Sequence, residues 1–210
     1  HVSNYQGVAG LDGYIVRGKD KYADNHIFIP HSGCRSGIDA NGNAVYSTNT
    51  NESYYWSSQL TDSPWGYGIF VKLQPGTTGY TKDHTFLGMH IRPVYGDGTS
   101  TPEEPEEPVV EEDHSMDVAK TVKDAFGNDM IVPADGVDLG LSVKWATWNV
   151  GATQTGIDGK GKEGQYGNYY SWGSTEPQSS YLSSDYTLNV NERTLSAEHD
   201  AAQTKWEDGW

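Results

Sequence analysis

The feature that most constrains this chain is a period-two run, Tyr67, Ile69, Val71 and Leu73, with Gly68 and Lys72 among the intervening positions. It is set in the densest aromatic cluster of the sequence, Tyr54, Tyr55, Trp56, Trp65, Tyr67 and Phe70. Alternation of this kind predicts a half-buried strand. Gln74-Pro75-Gly76 closes the strand with turn chemistry. The segment Phe86–Val94 ends on Pro93, which cannot donate to a ladder, so it reads as an edge strand or the end of one. The chain has 14 Tyr and 7 Trp among 210 residues, yet only 35% hydrophobic residues and a mean hydropathy of -0.69. Its core must therefore be filled by aromatic rings, each of which removes about 150–250 Å² from water when buried. That capacity argues against disorder of the whole chain.

Charge and cysteine content exclude several classes. With 29 acids against 14 bases the net charge is -15, and a phosphate backbone needs a basic face, so nucleic acid is not an expected partner. One cysteine, Cys34, forms no intrachain disulfide and supplies no metal-binding pair. No apolar run approaches the ~20 residues that span a bilayer. His1-Val2-Ser3-Asn4 is not a signal peptide, so for an exported protein the targeting segment is expected upstream of this chain.

Along the chain, Tyr14–Gly18 and Asn25–Pro30 read as short strands bounded by turn formers. Asp39-Ala40-Asn41-Gly42-Asn43 carries a hairpin-turn signal; its alternating oxygens also resemble the start of a calcium loop, but the bidentate acid at the far end is missing unless Glu52 serves, and a plain turn is the better reading. Residues 97–113 form a linker: Pro102, Pro105 and Pro108 are interleaved with acids, and Pro102–Asp113 holds seven acids and no Lys or Arg. In the connecting segment 114–136, Met116, Ala119, Val122 and Phe126 lie at helical spacing and Gly127-Asn128 supplies a stop, which favours a short helix. An alternating reading through Val118, Thr121 and Val122 remains open.

Two blocks carry a family resemblance. The first holds IFIPHSGCRSG (Ile27–Gly37), YYWSS (Tyr54–Ser58) and HIRPVYG (His90–Gly96). The second holds Lys144-Trp145-Ala146, Asn149-Val150-Gly151-Ala152, Tyr166-Gly167, Tyr169-Tyr170, Trp172-Gly173 and Asp200-Ala201-Ala202 followed by Trp206 and Trp210. These resemble the Fibrobacter succinogenes major paralogous domain family of Bacteroidetes-type bacteria. Cys34 stands where the family usually has an aromatic, and Trp148 where it often has Cys. The resemblance implies an α+β, loop-rich, C-type-lectin-like fold with short antiparallel strands and little helix, related to formylglycine-generating-enzyme-like folds. The order is split: residues 1–96 resemble the C-terminal half of such a domain and residues 137–210 the N-terminal half of one. Three explanations stand: a fragment of a tandem array, a permuted domain within one molecule, or completion between molecules.

The chemistry expected is recognition rather than catalysis. Relatives of the formylglycine-generating type depend on reactive cysteines or on copper held by them, whereas Cys34 here is alone, in what reads as a polar loop beside Arg35. The seven histidines show no ligand spacing, so no metal, cofactor or catalytic residue is assigned. Sugar faces stack on aromatic rings while polar rim groups bind hydroxyls. That makes Trp65, Tyr67, Tyr80 and His84 the candidates in the first block and Tyr169, Tyr170 and Tyr181 those in the second. Trp56, Trp145, Trp172 and Tyr55 read as core. The expected function is a non-catalytic, secreted or cell-surface binding or adhesion module for a glycan or surface protein. The alternative is a structural repeat whose halves complement each other by self-association, and a carbohydrate-active enzyme ranks last because no acid pair is legible.

Overall fold

The computed structural model describes residues 2–5, 12–38, 40–41, 44–47, 51–61, 67–74, 77–96, 113–155, 164, 166–187, 193–207 and 209–210. Short antiparallel strands dominate. Strands β1 (Val2–Tyr5), β2 (Gly13–Arg17) and β3 (His26–Pro30) form one sheet in chain order. Strands β4 (Cys34–Ile38) and β5 (Ala44–Ser47) form an antiparallel pair; residues 39, 42 and 43 of the expected turn lie outside the described residues. Strands β6 (Ser53–Leu60), β7 (Tyr67–Gln74) and β8 (Thr77–His84) form a second three-stranded sheet with β8 at its edge. β9 (Val94–Tyr95) pairs with β12 (Lys144–Trp145), and β10 (Val118–Lys123) pairs with β11 (Asp129–Pro133). One α-helix of six residues, α1 (Ala201–Trp206), lies near the end. Among the described residues the fold is thus strand-rich and loop-rich with little helix, as expected.

Period-two patterning decides the central sheet. Trp56 and Phe70 face each other across β6 and β7, their rings at 5.9 Å and perpendicular. With Tyr54, Leu87, Met89 and Trp172 they form one buried cluster. The opposite face carries Tyr55 and Leu73 into a second cluster with Tyr14, Ile27, Ile29, Val137 and Leu139. A third cluster gathers Val132, Trp148, Val150, Tyr170, Ala202, Trp206 and Trp210. Trp148, Trp172 and Trp206 are among the largest fully buried side chains, so indole rings do fill the interior. Trp145 is half-buried beside the second cluster.

The two ends of the chain interlock. Met89 exchanges backbone hydrogen bonds with Tyr170, N to O at 3.0 Å and 2.8 Å. The Trp56 indole N–H donates to the Tyr170 carbonyl at 2.8 Å, and the Trp172 indole N–H to the Ser57 carbonyl at 3.0 Å. Residues from both sides of 97–112 therefore share hydrogen bonds as well as two of the apolar clusters.

Two expectations are corrected. Residues 118–133 form the β10–β11 hairpin, not a helix. Val118, Thr121, Val122, Ile131 and Val132 are β-branched and favour strands, and Met130 and Val132 alternate into the core. Asp124 accepts hydrogen bonds from the Phe126 and Asn128 amides at 2.9 and 2.8 Å, which builds a turn over residues that resemble a helix stop. Gly127 sits there at φ +81, and Phe126, expected on an apolar helix face, is 58% exposed. Cys34 is not in a polar loop: it lies on β4, partly buried against the Trp56–Trp172 cluster.

Candidate functional site

Register brings three of the expected residues to one face of the central sheet. Tyr67 stands opposite His84, and Val71 stands opposite both Tyr80 on β8 and Tyr55 on β6. Side chains two apart on a strand share a face, so Tyr67, Tyr80 and His84 project together. The Tyr67 and His84 rings meet at 4.9 Å, His84 stacks on Phe86 at 5.3 Å, and the Lys82 ammonium lies 5.8 Å from the Tyr67 ring centre. Tyr80 is 78% exposed, an unusual position for so large a ring. Trp65 lies outside the described residues.

Tyr169, Tyr170 and Tyr181 do not join this face. All are buried. The Tyr169 hydroxyl donates to the Ser32 carbonyl at 2.6 Å, and Arg35 covers its ring at 4.4 Å. The Tyr181 hydroxyl donates to the Tyr169 carbonyl at 2.5 Å. Their rings are interior and offer no face to a ligand.

Tyr80 also stands at a groove of about 1100 Å³. One wall is the inner face of the central sheet, with Tyr55, Val71 and Leu73; the other is built by residues 91–96 and by the segment from Thr194 to Trp210. Tyr95 projects into it at 39% exposure and meets Trp210 edge-on at 5.3 Å, and Trp210 meets Trp206 the same way at 5.3 Å. Gly209 makes this possible: its φ is +95, and a Cβ there would come within 3.0 Å of the Tyr95 ring. Asp200 caps α1 by accepting from the Ala202 and Gln203 amides at 2.8 and 3.4 Å. Burial raises the Asp200 carboxyl above its ordinary range, against the opposing pull of those two amides. Glu207 pairs with the Lys120 ammonium at 3.3 Å. Both acids among the described lining residues thus already have polar partners.

Beneath the groove lies a buried basic group. Arg92 donates from Nη1 to the Ala146 carbonyl and from Nη2 to the Phe28 carbonyl, each at 3.0 Å. Burial lowers its pKa, while Tyr55 pulls the other way. His90 is fully buried next to it, with its ring 4.1 Å from Tyr169 and 5.9 Å from Tyr55. Its Nδ1 meets the Asn168 carbonyl at 3.1 Å and must donate there, since a carbonyl only accepts. Burial drives its pKa down to about 3; the Asn168 carbonyl opposes that, and Arg92 and Arg35 add to it.

Among the described residues no group of three His, Cys, Asp or Glu could hold a metal ion, and no helix is long and apolar enough to cross a membrane. Sequence reasoning missed Tyr95, Trp210 and Arg92 as groove residues. Arg92 had a signal, a lone cation in the apolar run Met89–Val94, whereas Tyr95 and Trp210 had none because they meet only in the fold. Comparisons with protein-family models, curated proteins and solved structures return no match.

Proposed function

We propose that this chain is a non-catalytic binding or adhesion module, secreted or displayed on a bacterial surface, whose ligand is a glycan. The observation that carries the reading is Tyr80: an exposed aromatic ring on an edge strand, on the same sheet face as Tyr67 and His84 and at the lip of the groove. A ring held on a rigid strand stacks on a sugar face at little entropic cost. The Ser58 hydroxyl and the Gln203 amide line the groove and suit sugar hydroxyls, whereas the Ser57 hydroxyl already donates to the Ile69 carbonyl at 2.9 Å and accepts from the Gln59 amide at 3.2 Å.

We further infer that the chain is related to the Fibrobacter succinogenes major paralogous domains and has their C-type-lectin-like fold in permuted order. The contacts from Met89 to Tyr170 and from Arg92 to both Phe28 and Ala146 support this, since two half-domains must share a ladder and a core. Against a carbohydrate-active enzyme stands the engagement of the two acids among the described lining residues, Asp200 at the start of α1 and Glu207 with Lys120. A second reading, self-association of a structural repeat, draws on β8, the edge strand of its described sheet and so a template for pairing.

A glycan array probed with wild type and Tyr80→Ala tests the main reading. The variant should lose about tenfold or more in affinity while its thermal midpoint stays unchanged, because an exposed ring contributes little to stability. Equal binding by both proteins contradicts a role for Tyr80. Light scattering that shows concentration-dependent oligomers, abolished by a proline in β8, would favour the second reading instead.

A further inference from the structure

The groove also restricts which glycans fit, an inference that rests on the reading above that its ligand is a sugar. Its volume of about 1100 Å³ exceeds the ~300–1000 Å³ that encloses a drug-sized ligand, so a single sugar ring would leave most of its walls in water. Its exposed aromatic rings stand on different elements, Tyr80 on β8 and Tyr95 on β9. A ligand that stacks on both must reach from one element to the other. Among the described lining residues Arg92 is the one Lys or Arg, and its two terminal nitrogens are already given to the Phe28 and Ala146 carbonyls. The other ionisable side chains among the described lining residues, tyrosines apart, are Asp200, Glu207 and His199, with Glu207 partly offset by Lys120, which is not among the described lining residues. The chain as a whole carries -15.

We propose that the groove takes an uncharged oligosaccharide of several sugar units and selects against uronic or sialylated chains. Selection of this kind works by repulsion as much as by attraction: a carboxylate entering the groove meets Asp200 and Glu207 on a chain of net charge -15, while Arg92, the one Lys or Arg among the described lining residues, is buried with Nη1 and Nη2 turned to backbone carbonyls. The same field is screened by salt over a Debye length of ~10 Å at 0.1 M.

Calorimetry on the whole chain tests it with two sets of probes. The first is gluco-, manno-, xylo- and N-acetylglucosamine oligomers of one to six units. The second is oligogalacturonate beside its fully methyl-esterified, neutral counterpart. Affinity should rise about tenfold or more from the monomer to the longer oligomers of at least one neutral series. The methyl ester should bind about tenfold more tightly than the free acid at low salt, with the gap narrowing as salt is raised. Tyr80→Ala should weaken the neutral binding. A monosaccharide that binds as tightly as the hexamer, or a free acid that binds at least as tightly as its ester, overturns the proposal yet leaves glycan binding standing. Absence of binding by every probe, with a normally folded protein, overturns both.

Discussion

Arg92 is the residue whose removal should be felt most widely. Its guanidinium satisfies the carbonyls of Phe28 and Ala146, which come from opposite sides of residues 97–112 in the sequence. A buried carbonyl left without a donor costs about 1–3 kcal/mol. Arg92→Met should therefore destabilise the protein by about 2–5 kcal/mol in urea melts, and Arg92→Lys should not rescue it, because one ammonium cannot reproduce the two-armed geometry. His90 makes a pH prediction. Its folded pKa, about 3, lies below the unfolded value of 6.5. The unfolded chain therefore binds a proton that the folded chain refuses. The stability is fully present above pH 6.5 and is lost as pH falls toward 3, at about 1.4 kcal/mol per pH unit for this one group. Urea midpoints measured from pH 7 to pH 4 should fall more steeply in wild type than in His90→Gln; parallel curves would contradict the assignment.

At the scale of elements, the β10–β11 hairpin depends on its turn. The Asp124 carboxylate accepts from two backbone amides and from Asn128 and Asn168 side chains. Hydrogen bonding to the charged form outweighs its desolvation and holds its pKa below the ordinary range. Asp124→Ala should cost about 1–3 kcal/mol and raise amide exchange in 118–133 ahead of the rest of the chain. This hairpin is also where the sequence misled. Met116, Ala119, Val122 and Phe126 fit a helical stripe, but the stripe ignores that Asp124 can close a turn over Gly127, a local interaction that periodicity does not register. The central sheet was legible for the opposite reason: Tyr67–Leu73 alternates, and its partners follow directly in the chain. Within the site, the sheet register that unites Tyr67, Tyr80 and His84 was implicit in the same alternation. Tyr169 and Tyr170 misled because composition marks an aromatic pair without saying which way it faces; both are held inward by bonds to residues 137 and 81 positions away in the chain.

For the whole molecule, the claim that matters is that the groove is composite. Tyr80 and Tyr95 precede the acidic stretch 97–113 in sequence, and Trp145, Gln203 and Trp210 follow it. Residues before 97 reach both walls, but the second wall is completed only by the described residues between 194 and 210, so binding and the interlock of the two segments stand or fall together. Amide hydrogen exchange with and without a saturating neutral oligosaccharide tests this most directly. The account predicts that bound ligand slows exchange simultaneously in 77–84 and in 201–206, and that Tyr80→Ala shifts both effects together to about tenfold higher ligand concentration or more. Protection confined to one of the two segments, or a ligand dependence of protection that is unchanged in Tyr80→Ala, would contradict it.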